Sequence, residues 1–250
     1  MQKSLYVRGF RRVFLVQYFR AKSNSFFMRR KKLESVIIDF SLIGSRIESI
    51  CNTLAKRVVD IVFSATALLL LSPFLVVVAL FIRLYSKGSV LFSQARVGKQ
   101  GKEFLFWKFR SMYIDAEERK AALMKKNEMQ GGVLFKMKND PRITRVGKFI
   151  RKYSIDELPQ LWNVLIGDMS LVGPRPPLPK EVAQYTPYQR RRLEVTPGIT
   201  GVWQVSGRSD IPFAQQVKMD LEYIDNQSFW YDMVLLHKTV PAVLGARGAC

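Results

Sequence analysis

An uncharged run of 22 residues, Ile61–Ile82 (IVFSATALLLLSPFLVVVALFI), constrains this chain more than any other feature. As a straight helix it would extend about 33 Å, the thickness of a bilayer's hydrocarbon core. Two details argue against a simple span. Ser72-Pro73 sits at the midpoint, where proline removes a backbone hydrogen bond and crowds the preceding turn. Both flanks are basic, with Lys56-Arg57 before the run and Arg83 and Lys87 after it. A spanning helix usually concentrates its positive charge on the cytoplasmic side. Equal flanks fit a helix that enters, bends at Ser72-Pro73 and returns to the same face. The backbone groups freed at the bend then need Ser72 or neighbouring protein as partners. A straight tilted span and the buried core helix of a soluble protein are the competing readings.

The 250 residues carry 40 Lys+Arg against 20 Asp+Glu, a net +20, with 48% hydrophobic residues. That much apolar content argues against disorder, and the excess of one sign implies an anionic partner. Residues 1–57 hold 13 basic and 3 acidic side chains, including Arg29-Arg30-Lys31-Lys32 among Phe10, Phe14, Tyr18, Phe19, Phe26 and Phe27. Such a segment suits an anionic membrane surface or nucleic acid; a solvated, partly helical leader is the plainer reading. A secretory signal fits poorly, because no clean apolar core follows the early charges. His237 is the single histidine, and Cys51 and Cys250 are the two cysteines. This inventory argues against a disulfide framework, a Cys/His zinc site and a Ser–His–Asp triad, and a reducing compartment is expected. Catalysis must rest on carboxylates, lysine, arginine or a hard, oxygen-bound metal.

Downstream the pattern predicts an α+β fold, mostly helical, with a cytoplasmic part tied to one face of a membrane. Val90–Met112 reads as a hairpin about a Lys99-Gln100-Gly101-Lys102 turn. Asp115–Met129 reads as a helix, acidic first and basic last, stopped by Gly131-Gly132. Asn139-Asp140-Pro141 marks a turn. Short helices are expected over Thr144–Tyr153 and Ile155–Ile166, and further helix over Asp220–Tyr223 and Asp232–Val243.

Three stretches hold residues suited to chemistry. In Arg151-Lys152-Tyr153-Ser154-Ile155-Asp156-Glu157-Leu158-Pro159, Ser154 and Glu157 have capping-box spacing. If Pro159 is instead the first helical residue, Asp156 and Glu157 lie in the loop ahead of it. Either way two carboxylates sit at a helix N-terminus, a place that also favours phosphate. Beside Arg151 and Lys152 both are expected to stay ionised, one able to attack phosphorus and the other to hold Mg²⁺. Simple helix capping is the alternative. In Gly173-Pro174-Arg175-Pro176-Pro177 the prolines pre-order Arg175 for bidentate phosphate binding, although Pro176-Pro177-Leu178-Pro179 also resembles an SH3 ligand. Thr196–Arg208 (TPGITGVWQVSGR) combines turn residues with a terminal Arg208; it reads as a nucleotide-contacting loop, and GITG also matches the KH RNA-binding loop. Lys108 and Arg110 on the hairpin are further phosphate ligands or solvated charges.

LLLLSPF after KRVVD, QARVGKQGKEFLFWKFRSM, SIDELPQLWNVLIGDMSLVGPRP and TPGITGVWQVSGR together resemble the bacterial sugar transferase family, the monotopic polyprenol-phosphate phosphoglycosyl transferases, from about Leu54 to Val243. The resemblance implies transfer of sugar-1-phosphate from a nucleotide-diphospho-sugar, usually a UDP-sugar, to undecaprenyl phosphate. That step begins exopolysaccharide and O-antigen-type glycan assembly, and it runs through a phosphosugar–aspartyl enzyme. Carried over by motif, Asp156 is the nucleophile, Glu157 binds Mg²⁺, and Arg151, Arg175 and Arg208 surround the phosphates and uridine. Ser72-Pro73 matches the break of a re-entrant helix, and Lys56, Arg57 and Asp60 the charged cluster at its base. The implied organisation is a basic leader at 1–53, a membrane-embedded re-entrant helix at 54–88, a small cytoplasmic catalytic domain at 89–243 and a tail at 244–250, at the bacterial inner membrane. Nucleic acid is not an expected partner. Longer family members carry four transmembrane helices and a soluble domain ahead of this region, so the chain is expected to be a short form with a basic leader or a truncated long form.

Overall fold

A computed structural model describes residues 50–123 and 140–245, together with Ile47. The chain divides into two units, residues 1–53 and 54–250. Most of the basic leader, the second half of the helix expected over Asp115–Met129, Gly131-Gly132 and the tail beyond Gly245 lie outside the described residues.

Helix α1 (Ile50–Tyr85) has 36 residues and is long and apolar enough to cross a membrane, by length and composition. Its backbone stays helical through Ser72-Pro73. Pro73 has no N–H to give the carbonyl of Leu69, and the Ser72 hydroxyl supplies the missing donor at 2.8 Å. Around this point Leu69, Leu70, Phe74, Val76, Val77, Leu80 and Phe81 are exposed. Both halves nevertheless rest on the same body. Val59, Ala67 and Leu68 pack against the core of Phe106, Leu161, Val164, Met169, Leu171, Val172, Tyr223 and Leu235. Val78 and Ile82, with Leu75 and Ala79 beside them, pack with Phe109 and Ile150. Phe106 and Phe109 are three residues apart on one strand, only about 10 Å.

That strand belongs to the expected hairpin. β1 (Leu91–Val97) and β2 (Glu103–Phe109) pair antiparallel, from Leu91↔Phe109 to Val97↔Glu103. A short 3₁₀ turn at Lys99–Gly101 joins them, with Gln100 and Gly101 at positive φ. Alternation puts Arg96, Phe106 and Lys108 on one face and Trp107 and Phe109 on the other. α2 (Ala116–Leu123) follows. At the expected turn, Asp140 holds Arg142 through a buried ion pair at 2.6 Å. α3 (Arg145–Lys152) starts at Thr144, whose side chain accepts from the N–H of Gly147. Of the apolar face expected from Val146, Phe149 and Ile150, Ile150 is buried and Val146 packs against the core, whereas Phe149 is exposed.

The helix expected over Ile155–Ile166 is two elements. Ile155–Glu157 is a 3₁₀ turn, and α4 (Gln160–Ile166) begins only after Pro159, its N-cap. Proline lacks the N–H needed to continue a helix, although Leu158 before it keeps right-handed helical backbone. The capping box does not form: Ser154 is left-handed, φ 55°, with no side-chain cap bond. α4 ends at Gly167, φ 98°, a conformation that suits glycine. Asn163 ties α4 to β2, accepting from Trp107 N at 3.2 Å and donating to Leu105 O at 2.7 Å.

β3 (Ser170–Val172) pairs parallel with β4 (Gly198–Thr200). The two backbones approach so closely that a Cβ at Gly198 would stand 2.1 Å from Gly173 N. GITG is therefore strand and helix start, not a KH loop: glycine is needed there to let two chains meet. Short helices α5 (Pro179–Val182) and α6 (Pro187–Arg190) fill the connection. Pro176 and Pro177 are buried, so the polyproline run cannot serve as an exposed SH3 ligand. α7 (Val202–Ser206), α8 (Phe213–Asp225) and α9 (Phe229–Leu244) complete the body. The last two extend the helices expected over Asp220–Tyr223 and Asp232–Val243.

The base of α1 is held by charged groups. Lys56 donates to Val172 O at 2.8 Å and pairs with Asp232. Arg57 donates to the carbonyls of Val164 and Leu165 at 2.6 and 2.9 Å, capping the C-terminal end of α4. Asp60 accepts from Leu171 N at 2.9 Å. The tether is thus part of the core rather than a solvated flank.

Candidate active site

Asp156 and Glu157 stand on the 3₁₀ turn between α3 and α4, against β2. The left-handed Ser154 turns the chain so that Asp156 points inward, 8% exposed. Burial, and then the charge of Glu157, push the Asp156 carboxyl up to about 7; Lys108, Arg151 and Arg175 pull the other way without cancelling this. Both acids were expected to stay ionised, and Asp156 departs from that: its desolvation outweighs three nearby cations. Glu157 conforms. Burial opposes its charge, but Arg175 holds the carboxyl below its usual range, through its charge and a 2.6 Å hydrogen bond from Nη2 to Oε1.

Four of the expected cations gather at this pair. Lys108 comes from β2 and lies over the Phe92 ring, 5.4 Å from its centre; burial lowers it to about 8. Arg151 lies in the last turn of α3 and acts on Asp156 through its charge. Arg175, between Pro174 and Pro176, pairs with Glu157. Arg208 follows α7 at φ 53° and acts on Glu157 through its charge. Arg110 lies elsewhere. Its Nη2 donates to Ser86 O at 2.7 Å, its backbone N–H to Val90 O, and its guanidinium abuts Gly88, all just beyond the end of α1.

Two residues were missed in sequence. Arg96 packs over Phe106 and bonds Pro176 O at 3.0 Å; its place in the register opposite Phe104, beside Phe106 and Lys108 on one hairpin face, is the signal that could have found it. Gln160 is fully buried with neither amide atom partnered, and nothing in DELPQ foretells that.

Among the described residues no group of three or more His, Cys, Asp or Glu side chains is placed to hold a metal. Two adjacent carboxylates still fit Mg²⁺, which commonly takes one or two protein carboxylates and completes its shell with water and substrate phosphates.

A mostly helical body carries an acid pair among cations and packs along one helix whose length and composition are compatible with a membrane. The chain belongs to the bacterial sugar transferase family, which its residues 51–246 match. It is 48% identical over 202 residues to the galactosyl transferase CpsE of Streptococcus agalactiae, covering 79% of this chain and 44% of that protein. It is 44% identical over 202 residues to the undecaprenyl-phosphate galactose phosphotransferase of Salmonella typhimurium, covering 78% and 41%. With the exopolysaccharide production protein ExoY of Rhizobium meliloti it shares 39% identity over 199 residues, covering 78% and 88%. The chain thus spans less than half the length of the first two relatives and most of the third.

Proposed function

We propose that the protein transfers sugar-1-phosphate from a nucleotide-diphospho-sugar, a UDP-sugar in the first instance, to undecaprenyl phosphate, and so begins exopolysaccharide or O-antigen-type glycan assembly. The observation that carries this is the buried Asp156 beside Glu157, with Lys108, Arg151 and Arg175 all acting on it. Phosphoryl transfer asks chiefly for positioning and charge neutralisation, so a chain with one histidine is well equipped for it. In the first step an Asp156 oxygen attacks the phosphorus bearing the sugar. The bond to the bridging oxygen breaks, UMP leaves with that oxygen, and Asp156 carries the sugar phosphate as an acyl phosphate. In the second step an oxygen of the lipid phosphate attacks the same phosphorus and the carboxylate is released. Arg151, Arg175 and Arg208 neutralise and orient the phosphates. Glu157, with Asp156 beside it, would hold Mg²⁺, which when bound supplies positive charge to the diphosphate.

The same reading sets α1 in the membrane as a re-entrant helix. Contacts on both sides of Pro73 with one body support it, as does the Ser72 hydroxyl at the carbonyl that proline leaves without its usual donor. The catalytic body then lies at the cytoplasmic face of the bacterial inner membrane, where a soluble nucleotide-sugar and a lipid phosphate both arrive.

Mass spectrometry of protein incubated with a panel of UDP-sugars tests the chemistry. A sugar-phosphate adduct on Asp156, with UMP release, is expected; both vanish in Asp156→Asn. Unchanged UMP release in that variant removes Asp156 from the mechanism. The net +20 also suits a non-catalytic basic protein on a membrane surface or on nucleic acid. That reading gives a buried carboxylate no task, and it predicts no UMP from any donor.

A further inference from the structure

Two arginines share one aromatic ring at the edge of the acid pair. The guanidinium carbon of Arg96 lies 5.3 Å from the centre of the Phe106 ring, and that of Arg175 lies 5.9 Å from it. Phe106 is itself fully buried, so the platform is rigid. Of the five N–H donors in each guanidinium, Arg96 uses one on Pro176 O at 3.0 Å and one on Gln94 Oε1 at 3.2 Å, and its Nε is buried without a protein partner. Among the described residues Arg175 uses a single donor, on Glu157 Oε1. Burial and then the charge of Arg175 push Arg96 down to about 10, with Glu181 and Glu157 offsetting part of that. Like charges held together with donors unfilled are unfavourable in an empty site and favourable around a multiply charged anion.

A backbone hydrogen bond ties together the two segments that carry these arginines. Val97 N donates to Pro177 O at 2.9 Å, one residue from the bond that Arg96 makes to Pro176 O. The end of β1 therefore grips the loop that carries Arg175, and Arg96 is the side chain at that grip.

We propose that Arg96 is a further donor-binding residue, forming with Arg175 a two-arginine clamp on Phe106 that takes the diphosphate of the nucleotide donor. The proposal rests on the sugar-nucleotide reading above. Two planar forks can meet two adjacent phosphoryl groups, each in bidentate fashion, which one fork cannot do.

Calorimetric titration of the full chain in detergent, with UDP and with uridine as probes, tests it. Arg96→Ala is expected to weaken UDP binding roughly ten- to a hundred-fold, the loss of a charge-assisted hydrogen bond or two, and to leave uridine unchanged. Arg96→Lys, which keeps the charge but not the fork, is expected to lose several-fold for UDP relative to uridine, and it serves alone if the alanine variant fails to fold. UDP and uridine weakened in parallel would mean that Arg96 only braces the loop, and would overturn the clamp. Unaltered UDP binding in both variants would overturn it too, with the donor reading intact. Unmutated protein that binds no UDP would overturn both.

Discussion

At the scale of the residue, Asp156 and Lys108 show how far placement changes chemistry. Burial pushes the acid up to about 7 and the amine down to about 8. In the proposed mechanism Asp156 must lose its proton before it attacks, so kcat/KM for donor is expected to rise as pH passes 7. In the same mechanism Lys108 would neutralise phosphate only while protonated, so that parameter is expected to fall above pH 8. A pH profile of UMP release should therefore be bell-shaped with a narrow top, and Lys108→Met should lower the maximum and remove the alkaline limb. An alkaline limb that survives the substitution assigns it to another group. The residue types at this site were legible in DELPQ, FWKFRSM and GPRP. Their ionisation was not, because desolvation of Asp156 depends on how β2 and α3 pack against its turn. Arg96 escaped notice for a related reason: an arginine on a hairpin looks solvated until the partner strand and the Pro176 loop close on it.

Among the elements, α1 is tethered by a buried pair. Asp232 has a side chain 3% exposed and is shared between Lys56 and Tyr223, whose OH donates to it at 2.7 Å. Lys56→Met alone leaves that carboxylate without its cation and is expected to cost about 3–5 kcal/mol. The double variant Lys56→Met/Asp232→Leu should recover most of the loss, since apolar packing can replace both charges. Thermal unfolding in detergent measures both, and a double variant no more stable than the single one would show that the pair itself is what holds α1. The proposed re-entrant path is tested by labelling. In a background with Cys51→Ser and Cys250→Ser, single cysteines from Leu54→Cys and Leu84→Cys, both exposed positions, should react with an impermeant thiol reagent from the same side of sealed vesicles. Adding Pro73→Ala restores the N–H to Leu69 O and should straighten the helix, moving one site to the other side. Opposite sides in the chain that keeps Pro73 would refute the re-entrant reading. Helix α3 and the hairpin followed from local pattern; at Leu158-Pro159 local pattern left two readings open, a capping box at Ser154 or a helix start at Pro159, and the fold takes the second.

Over the whole molecule, apolar area and charge act on different steps. The exposed leucines, valines and phenylalanines of α1 supply roughly 1.5–3 kcal/mol each when buried in lipid, and salt screens none of that. Washing membranes at 1 M NaCl should leave the protein in the pellet although the net charge of +20 is screened. Arg175→Ala should cut UMP release at least tenfold while the protein stays in the same fraction, and loss of membrane association in that variant would mean that the loop is structural instead. The amino-acid order alone determined the uncharged run, its central proline, the hairpin and the residue types available for phosphate chemistry, because each is a local matter of composition, period or turn geometry. Only the tertiary structure decided that Asp156 is desolvated, that Arg175 pairs with Glu157 and that Arg110 stands apart at the end of α1. It alone revealed Arg96, since burial and charge pairing depend on which distant segments the fold brings against one another.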